Sequence, residues 1–352
     1  MGGVHGEDQQ TAVRSGRGSH EKSDVEVTCL SHLLWGAGHS LEHLHLSIPA
    51  TMSWLEKRND AIQVNPNTQN NKHVDIAITV RGSDFYFAIC AVMGFVALGV
   101  MAASAMKPRT DRIFFYITAA INTTACIAYF AMGSNLGWTP IDVEWQRTWS
   151  QVAGVNREVF YVRYIDWFVT TPLLLMDLLL TAGLPWPTIL WTIFLDEVMI
   201  VTGLVGALVK SRYKWGFWTF GTVAMFAIFW NLAIEGRKHA KHFGSDIART
   251  YTICGCLTLF IWLCYPICWG VSEGANVIPP DSEAVFYGVL DFLAKPVFSI
   301  ALIIGHWNVN PGRMGLKLRD YDEDPDYFGP KNGAEAAKER SNGSSSGVDG
   351  GA

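Results

Sequence analysis

The chain has 352 residues, of which 49% are hydrophobic and 17% are charged. Its 27 Lys and Arg residues stand against 32 Asp and Glu residues, and this lack of a basic excess argues against a nucleic-acid-binding protein. Residues 1–80 and 310–352 are polar, whereas the charges between them are gathered between long apolar runs. This segregation is typical of a polytopic membrane protein that contacts a lipid bilayer and has polar tails.

The N-terminal tail, residues 1–81, is polar and is predicted to be disordered. It lacks the basic region, apolar region and cleavage site of a removed signal peptide, so the first apolar run is expected to serve as an uncleaved anchor. The segment HSLEHLHL at 39–46 has no accompanying Cys or acidic cluster, and no metal site is predicted there. Met52 begins a second plausible start, which leaves open whether residues 1–51 belong to the mature protein.

Seven apolar runs each reach roughly 20 residues or more, the length that a helix needs to cross the hydrocarbon core. Short linkers force neighbouring helices to be antiparallel, so the predicted fold is an all-α, seven-transmembrane-helix bundle over residues 82–310. The longest linker, 135–156, contains Gly137, Pro140 and Gly154 and could form a small hairpin. The predicted spans are 84–106, 112–134, 157–181, 187–210, 213–236, 247–271 and 282–307.

The Lys and Arg residues of the short loops predict the orientation of the bundle. The side that carries Lys107, Arg109 and Arg112 holds most of the loop cations and is expected to be cytoplasmic, although KSRYK at 210–214 opposes it. The N-terminus is then outside, and the acidic, Ser/Gly-rich tail 311–352 is inside and predicted to be disordered. No retention signal ends the chain, so the plasma membrane is the expected location.

The third span keeps charges that a membrane helix normally excludes, since each costs about 2.5–3.5 kcal/mol at the bilayer centre. Arg163 and Asp166 are three residues apart, and Asp177 follows eleven residues later, so all three lie on one helical face. Thr170 lies between the two aspartates on the same face. A row of carboxyl, hydroxyl and carboxyl groups is poorly explained by packing and suits the movement of protons or ions.

The seventh span carries Asp291 and Lys295, four residues apart on one face. They could form a structural ion pair, but a buried pair is often no more stable than apolar residues, so stability is a weak reason for keeping it. A desolvated lysine is also a good amine nucleophile that can condense with an aldehyde to a Schiff base. Once protonated, that group needs anions, and Asp166 and Asp291 are the available ones.

Aromatic side chains could supply the flat apolar slot that a conjugated aldehyde requires. Trp262, Tyr265 and Trp269 are three and four residues apart and share one face of the sixth span. Trp167 and Trp218 are further candidates, although a single Trp is more often a core residue or part of an interfacial belt.

The strings RYIDWFVTTPLLLMD and LDFLAKP together resemble the microbial rhodopsins and, among the archaeal ones, bacteriorhodopsin most clearly. GLPWPT, MIVTGLVGALVKSRYKWG and YPICWGVSEGANVIPPDSEAVFYGVLDFLAKPVF are similar to the fungal branch, in particular to its proton-pumping members. The resemblance covers about 82–320, and its motifs occur in order at the right span numbers. It implies a seven-helix retinal protein that is a light-driven ion transporter or photoreceptor, not an enzyme.

The resemblance implies a proton path. Lys295 would hold all-trans retinal as a protonated Schiff base, with Asp166 as the primary proton acceptor and Asp291 as the second counterion. Asp177 would be the cytoplasmic proton donor, and its leucine neighbours should favour its protonated form. The other implied positions are Arg163 outward of the counterions, Thr118 beside the donor, Tyr129 near the counterions and the outward release pair Glu273 and Glu283.

The resemblance also implies the retinal pocket and shows two departures. Thr171 and Asp196 match a pair that ties the third span to the fourth. The second-span proline of the family is Asn122 here, and the cytoplasmic uptake aspartate of bacteriorhodopsin is Thr110, with Asp111 adjacent, which leaves the uptake route open. The implied pocket residues are Lys295, Trp167, Thr171, Leu174, Met199, Gly203, Trp218, Met225, Trp262, Tyr265, Pro266 and Trp269.

A light-driven outward proton pump is the leading functional prediction, because Asp166, Thr170 and Asp177 supply carboxyl, hydroxyl and carboxyl groups. A chloride pump would lack the acceptor carboxylate, and sodium pumps of the family carry an Asn/Asp/Gln set instead. The alternative is a fungal photosensory rhodopsin with a slow photocycle and little net pumping. A receptor or transporter without retinal would leave Lys295 unexplained. Family members often form trimers, which makes a homo-oligomer a further expectation.

Overall fold

The structure is a computed structural model and describes residues 59–69 and 71–316. The predictions for the leading tail up to residue 58, including the histidine segment 39–46 and the second start at Met52, lie outside the described residues. The same holds for the predicted disorder of residues 317–352.

Seven helices in the described part of the chain are long and apolar enough to cross a membrane, which confirms the predicted all-α class and number of spans. Their ends differ from the predicted ones by up to four residues, except that the fifth helix ends six residues later than predicted, at His242. The helices are α1 Val80–Ser104, α2 Ile113–Gly133, α3 Tyr161–Thr181, α4 Trp186–Leu208, α5 Lys214–His242, α6 Ser245–Gly274 and α7 Pro280–His306.

The helices form a closed ring in which each packs against the next and α7 packs against α1, as short links require. Helix α3 also contacts α6 across the bundle and is the most enclosed: 67% of its apolar stretch is buried, against 22% for α1. The charged row of α3 therefore lies inside the protein, where Arg163 and Asp177 are 0% exposed and Asp166 is 1% exposed.

Two helices widen locally at candidate functional residues. The turn Leu293–Val297 of α7 is π-helical and contains Lys295. Pro296 within it has no N–H, so the ordinary hydrogen bond to the carbonyl four residues earlier is missing, which favours the wider turn. A second π-helical turn, Gly270–Gly274 of α6, contains Glu273. Backbone irregularity thus accompanies both of these buried charged side chains.

The expectation that disorder extends through residue 81 needs correction over residues 59–69 and 71–79. A one-turn helix, Ala61–Val64, is followed by strand β1, Thr68–Gln69, which pairs antiparallel with strand β2, Lys72–His73. Val74, Ile76 and Ile78 then alternate along an extended segment, and each is only 2% exposed. This apolar alternation is a strand signal that the polar average composition of the tail conceals.

The linker between α2 and α3 forms the expected hairpin. Strand β3, Thr139–Asp142, pairs antiparallel with strand β4, Asn156–Val159. Ile76 joins the other edge of β4 through a parallel bridge to Arg157. The third helix consequently begins at Tyr161 and not at 157, because residues 156–159 are held in the sheet.

The C-terminal boundary of the folded part also lies later than expected. Pro311–Met314 forms a short 3-10 turn in which Met314 is 3% exposed, so the prediction of disorder from residue 311 needs correction for this turn. Met314 belongs to the same apolar core as Phe298 and Leu302 of α7. Burial of one large side chain holds the turn against the bundle.

Ile78→Ala is expected to lower the free energy of unfolding by about 2–5 kcal/mol, because it removes a buried side chain and leaves a cavity. Val64→Ala in the same segment is the matched control, since Val64 is 67% exposed, and should change stability by less than about 0.5 kcal/mol. Thermal unfolding of the purified proteins in lipid measures both effects. Equal melting temperatures for the two variants would contradict the structural role of residues 74–79.

Candidate functional site

Lys295 lies inside the bundle between two carboxylates. Its Nζ is 2.6 Å from Oδ2 of Asp166 on α3 and 3.2 Å from Oδ2 of Asp291 on α7. All three side chains are at most 1% exposed. Breaking such a buried pair by removing one partner costs about 3–5 kcal/mol, because it leaves an uncompensated charge. The site is therefore built to hold a cationic nitrogen, whether an ammonium or a protonated imine.

The two carboxylates differ in how firmly they are held. Asp291 accepts hydrogen bonds from Tyr129 Oη at 2.8 Å and Tyr265 Oη at 2.5 Å, and Trp167 Nε1 lies 3.4 Å from it. Asp166 uses Oδ2 for Lys295, and its buried Oδ1 has no hydrogen-bond partner among the described residues. Asp291 is therefore the more fully hydrogen-bonded of the two carboxylates, and Asp166 keeps one buried oxygen without a described partner.

An apolar cavity lies beside Lys295, between helices α3, α4, α5, α6 and α7. Every residue predicted for the pocket lines this cavity: Lys295, Trp167, Thr171, Leu174, Met199, Gly203, Trp218, Met225, Trp262, Tyr265, Pro266 and Trp269.

The prediction missed several residues that also line the cavity. Tyr287 lies one helical turn before Asp291 on α7, a spacing from which its position could have been inferred. Tyr164, three residues before Trp167, packs edge-on against that indole with ring centroids 5.1 Å apart. The remaining unpredicted lining residues are Ile200, Phe217, Thr222 and Ala294, and no sequence motif marks them.

The walls of the cavity are aromatic and their polar groups are satisfied elsewhere. Trp218 Nε1 donates to the carbonyl of Pro266 at 3.0 Å, and Trp269 Nε1 donates to the carbonyl of Gly203 at 3.2 Å. The ring surfaces are thus left for apolar contact. A long, flat, conjugated aldehyde fits this chemistry, because the slot is apolar along its length and contains one amine, that of Lys295.

The predicted link between α3 and α4 is present. Thr171 Oγ1 donates to Asp196 Oδ2 at 2.7 Å and also lies 2.8 Å from the carbonyl of Trp167. Asn122, at the position of the family's proline, makes a comparable link from α2 to α7, because its amide donates to Ser299 Oγ at 2.8 Å. These bonds fix the helices that line the cavity relative to one another.

The predicted release pair meets at Arg163. Arg163 Nη1 lies 2.6 Å from Glu283 Oε1 and 3.3 Å from Glu273 Oε1. Glu283 also pairs with Arg157 Nη2 at 2.6 Å, so two guanidinium groups hold one buried carboxylate. Glu273 receives the hydroxyl of Tyr287 at 3.2 Å. The prediction missed Arg157, which reaches Glu283 only because β4 carries it there.

Asp177 lies on the opposite side of Lys295 from this cluster, about 16 Å along α3 from Asp166 at 1.5 Å per residue. It is 0% exposed, and neither carboxyl oxygen has a partner among the described side chains. The predicted partner Thr118 donates to the carbonyl of Phe114 in its own helix at 2.7 Å, so the structure does not join it to Asp177. Thr170 lies between the two acids and donates to the carbonyl of Asp166 at 2.8 Å.

Glu158 of β4 is a buried carboxyl that the prediction missed. It is 1% exposed; its Oε2 accepts from the backbone N–H of Ile78 at 2.9 Å, and its Oε1 has no partner within residues 59–69 and 71–316. Burial raises the pKa of Glu158 to about 8, and the neighbouring charge of Glu283 acts in the same direction. Glu158 is therefore mostly protonated at neutral pH.

Comparison with known proteins identifies the family of this chain. The model of the bacteriorhodopsin-like protein family matches residues 81–309. The chain belongs to this family. Its relative "Opsin-like protein carO" of Fusarium fujikuroi is 60% identical over 276 residues, which cover 78% of this chain and 90% of that protein.

Two solved structures resemble this rhodopsin closely. The light-driven proton pump LR (Mac) from Leptosphaeria maculans is 33% identical, with a TM-score of 0.64 over 68% of this chain and 99% of its own. The light-driven proton pump Coccomyxa subellipsoidea rhodopsin CsR is 35% identical, with a TM-score of 0.62 over 65% of this chain and 98% of its own.

Membership of the family has three consequences. The protein is an integral membrane protein in a lipid bilayer, in keeping with exposed apolar side chains such as Phe95 and Leu98, which are 78% and 73% exposed. Rhodopsins are light-driven pumps and photoreceptors, not enzymes. The family also implies a retinal chromophore, and the apolar cavity with its buried amine fits that group.

The proton held by the buried Glu158 carboxyl should make the stability of the protein depend on pH. Its pKa rises from an ordinary 4.5 to about 8 on folding, so between these values the folded protein binds more protons than the unfolded chain. The stabilisation that this extra proton gives is complete below pH 4.5 and is lost as the pH rises toward about 8. The loss is at most about 1.4 kcal/mol per pH unit.

Glu158→Gln should therefore flatten the fall in melting temperature between pH about 5 and about 8. Glu235→Gln is the matched control, because the Glu235 side chain is 44% exposed. Thermal unfolding across this pH range measures the slope for each protein. The same slope in wild type and Glu158→Gln would contradict a proton held on this buried carboxyl.

Proposed function

We propose that this rhodopsin is a light-driven outward proton pump that binds all-trans retinal on Lys295. The observation that carries the proposal is the placement of Asp177. It is a fully buried carboxyl on the opposite side of Lys295 from the Arg163 cluster, and Asp166 faces the amine itself. A proton can thus leave the central nitrogen toward one carboxyl and be replaced from another, which is the requirement for vectorial transfer.

Retinal would be held by Lys295 and by the aromatic walls of the cavity. Bound as a protonated Schiff base, it would supply light absorption and an isomerisation that displaces the proton on the nitrogen. Asp166 would accept that proton at its unpaired Oδ1, while Asp291 stays hydrogen-bonded to Tyr129 and Tyr265. Asp177, fully buried and without a described partner for its carboxyl oxygens, would hold a proton in the dark and would release it to the central nitrogen.

The direction of proton transfer across the membrane is inferred from the Lys and Arg residues of the loops. Helix α3 ends at Thr181, on the side where α2 begins after the loop with Lys107, Arg109 and Arg112. The positive-inside rule makes that side cytoplasmic. Asp177 would then face the cytoplasm, and Arg163 with its two glutamates would face outward as the route of release. We further propose the plasma membrane as the location and, from the family resemblance, a homotrimer as the assembly.

A photosensory role with a slow photocycle is the second candidate. The observation that favours it is that Thr118 bonds within its own helix and leaves Asp177 without a described hydrogen-bond donor. An unassisted donor would return its proton slowly. Flash excitation at neutral pH separates the two roles, because recovery within milliseconds supports a pump and recovery over seconds supports a sensor.

Lys295→Ala should abolish the visible absorption band that forms when all-trans retinal is added to the apoprotein, because no other amine lines the cavity. Lys238→Ala is the control, since the Lys238 side chain is 66% exposed on the surface. The control should form the wild-type band. A band of equal intensity in Lys295→Ala would remove Lys295 from its proposed role.

Asp177→Asn should leave the dark absorption spectrum unchanged, because Asp177 is remote from the amine, and should slow recovery by about 100-fold or more, since proton transfer by a placed acid contributes this much. Illuminated cells that express the wild type should acidify the medium, and a protonophore should abolish the signal. Asp246→Asn, at a surface pair with Arg313, is the control. Undiminished pumping by Asp177→Asn would refute the donor assignment.

A further inference from the structure

His306 is a buried titratable side chain that the proposed proton path does not use. It lies in the last turn of α7 and is 6% exposed. Its ring stacks on Phe114 of α2, with centroids 4.3 Å apart and an interplanar angle of 22°. A histidine is the one side chain whose ordinary titration range spans neutral pH, so its burial near the donor side requires an explanation.

The hydrogen bonds of His306 lead toward Asp177. Nδ1 lies 2.9 Å from the carbonyl of Leu302, and Nε2 lies 3.1 Å from Thr181 Oγ1. Thr181 Oγ1 in turn donates to the backbone carbonyl of Asp177 at 2.6 Å. Thr181 is one helical turn after Asp177, so its hydroxyl lies on the face of α3 that carries the carboxyl group.

The number of protons on His306 determines which of these hydrogen bonds can form at the same time. The Leu302 carbonyl can only accept, so Nδ1 of His306 carries a hydrogen. When the ring is neutral, Nε2 is an acceptor and competes with the Asp177 carbonyl for the single hydroxyl hydrogen of Thr181. When the ring is cationic, Nε2 donates to Thr181 and all three contacts are satisfied together. Loading His306 with a proton therefore changes what the Thr181 hydroxyl can do.

The position of His306 suits proton entry. The next residue, Trp307, receives a hydrogen bond from Lys107 in the loop before α2, and Asn308 is already exposed. The family's uptake position, Thr110, has no carboxyl group, and its hydroxyl lies 3.3 Å from the neighbouring Asp111. His306 thus lies between the surface and the buried donor, where an uptake group is needed.

We propose that His306 and Thr181 form the uptake relay that returns a proton to Asp177. The proposal rests on the proposed role of Asp177 as the internal donor. The Thr181 hydroxyl first turns from the backbone carbonyl of Asp177, to which it donates in this structure, toward the Asp177 carboxylate. The Nε2 proton of cationic His306 then passes to Thr181 Oγ1 while the Thr181 hydroxyl proton passes to the carboxylate. The carboxyl becomes neutral, His306 becomes neutral, and the cytoplasmic solvent reloads the ring with one proton.

The test uses the full chain with retinal in lipid nanodiscs. After a flash, the infrared C=O band of Asp177 times both the loss and the return of its proton, and a pH dye times uptake from the medium. His306→Gln keeps an N–H donor near Thr181 but cannot take up or release a proton, and Thr181→Val removes the hydroxyl at nearly constant shape. Both should slow the return of the proton at least tenfold and leave its loss unchanged.

Three further measurements separate a relay from a packing role. Thr181→Ser restores the hydroxyl and should return the rate to within twofold of wild type. In the dark, ¹⁵N NMR of the His306 ring should show a protonated Nδ1 in wild type and in Thr181→Val, and Thr181→Val should shift the Nε2 signal. This measurement requires no illumination and no pumping. Sodium azide, a small proton carrier, should accelerate uptake in His306→Gln.

The proposal is overturned if His306→Gln returns the Asp177 proton at the wild-type rate. It is equally overturned if the loss and the return of the Asp177 proton slow together and the dark C=O band of Asp177 shifts. That result would mean that the variant disturbs Asp177 itself and does not remove a proton carrier. If illuminated wild-type protein did not acidify the medium, the pump proposal would be refuted but the relay proposal would not, because the infrared band of Asp177 still times the return of its proton.

Discussion

A buried cation between two carboxylates is the constraint on which the rest of this rhodopsin depends. Lys295 is 1% exposed, and its Nζ contacts both Asp166 and Asp291. An uncompensated charge there would cost several kcal/mol, so α3 and α7 must bring their acids to the same place. The tyrosines that hold Asp291 come from α2 and α6, so the neighbouring helices are tied to the same ion cluster.

The acidic groups on the two sides of this cluster have different surroundings. On one side, buried glutamates are neutralised by Arg163 and Arg157, and the hairpin with residues 74–78 covers them. On the other side, Asp177 lies among apolar residues with no described partner for its carboxyl group. Compensated charge on one side and a desolvated acid on the other give the bundle a polarity that a symmetric ion pair would lack.

Much of the site could be predicted because it is encoded locally. The spacing of Arg163, Asp166 and Asp177 fixes them to one face of a helix, whatever that helix packs against. Pro296 widens the turn that contains Lys295, again through a local effect. The pocket residues followed from the family motifs, and all of them line the cavity. What could not be predicted are side chains such as Glu158, whose environment comes from a segment 80 residues away.

The sequence by itself determined the seven helices, the identity of the buried amine and the acids in line with it, because hydrophobic length and helical periodicity act over a few turns. Only the tertiary structure decided which partners these groups have. Ile76 pairs with β4, Arg157 reaches Glu283, and the hydroxyl of Thr118 stays within its own helix. These contacts depend on how distant segments meet, and a hydrogen bond forms only when both partners arrive with the right geometry.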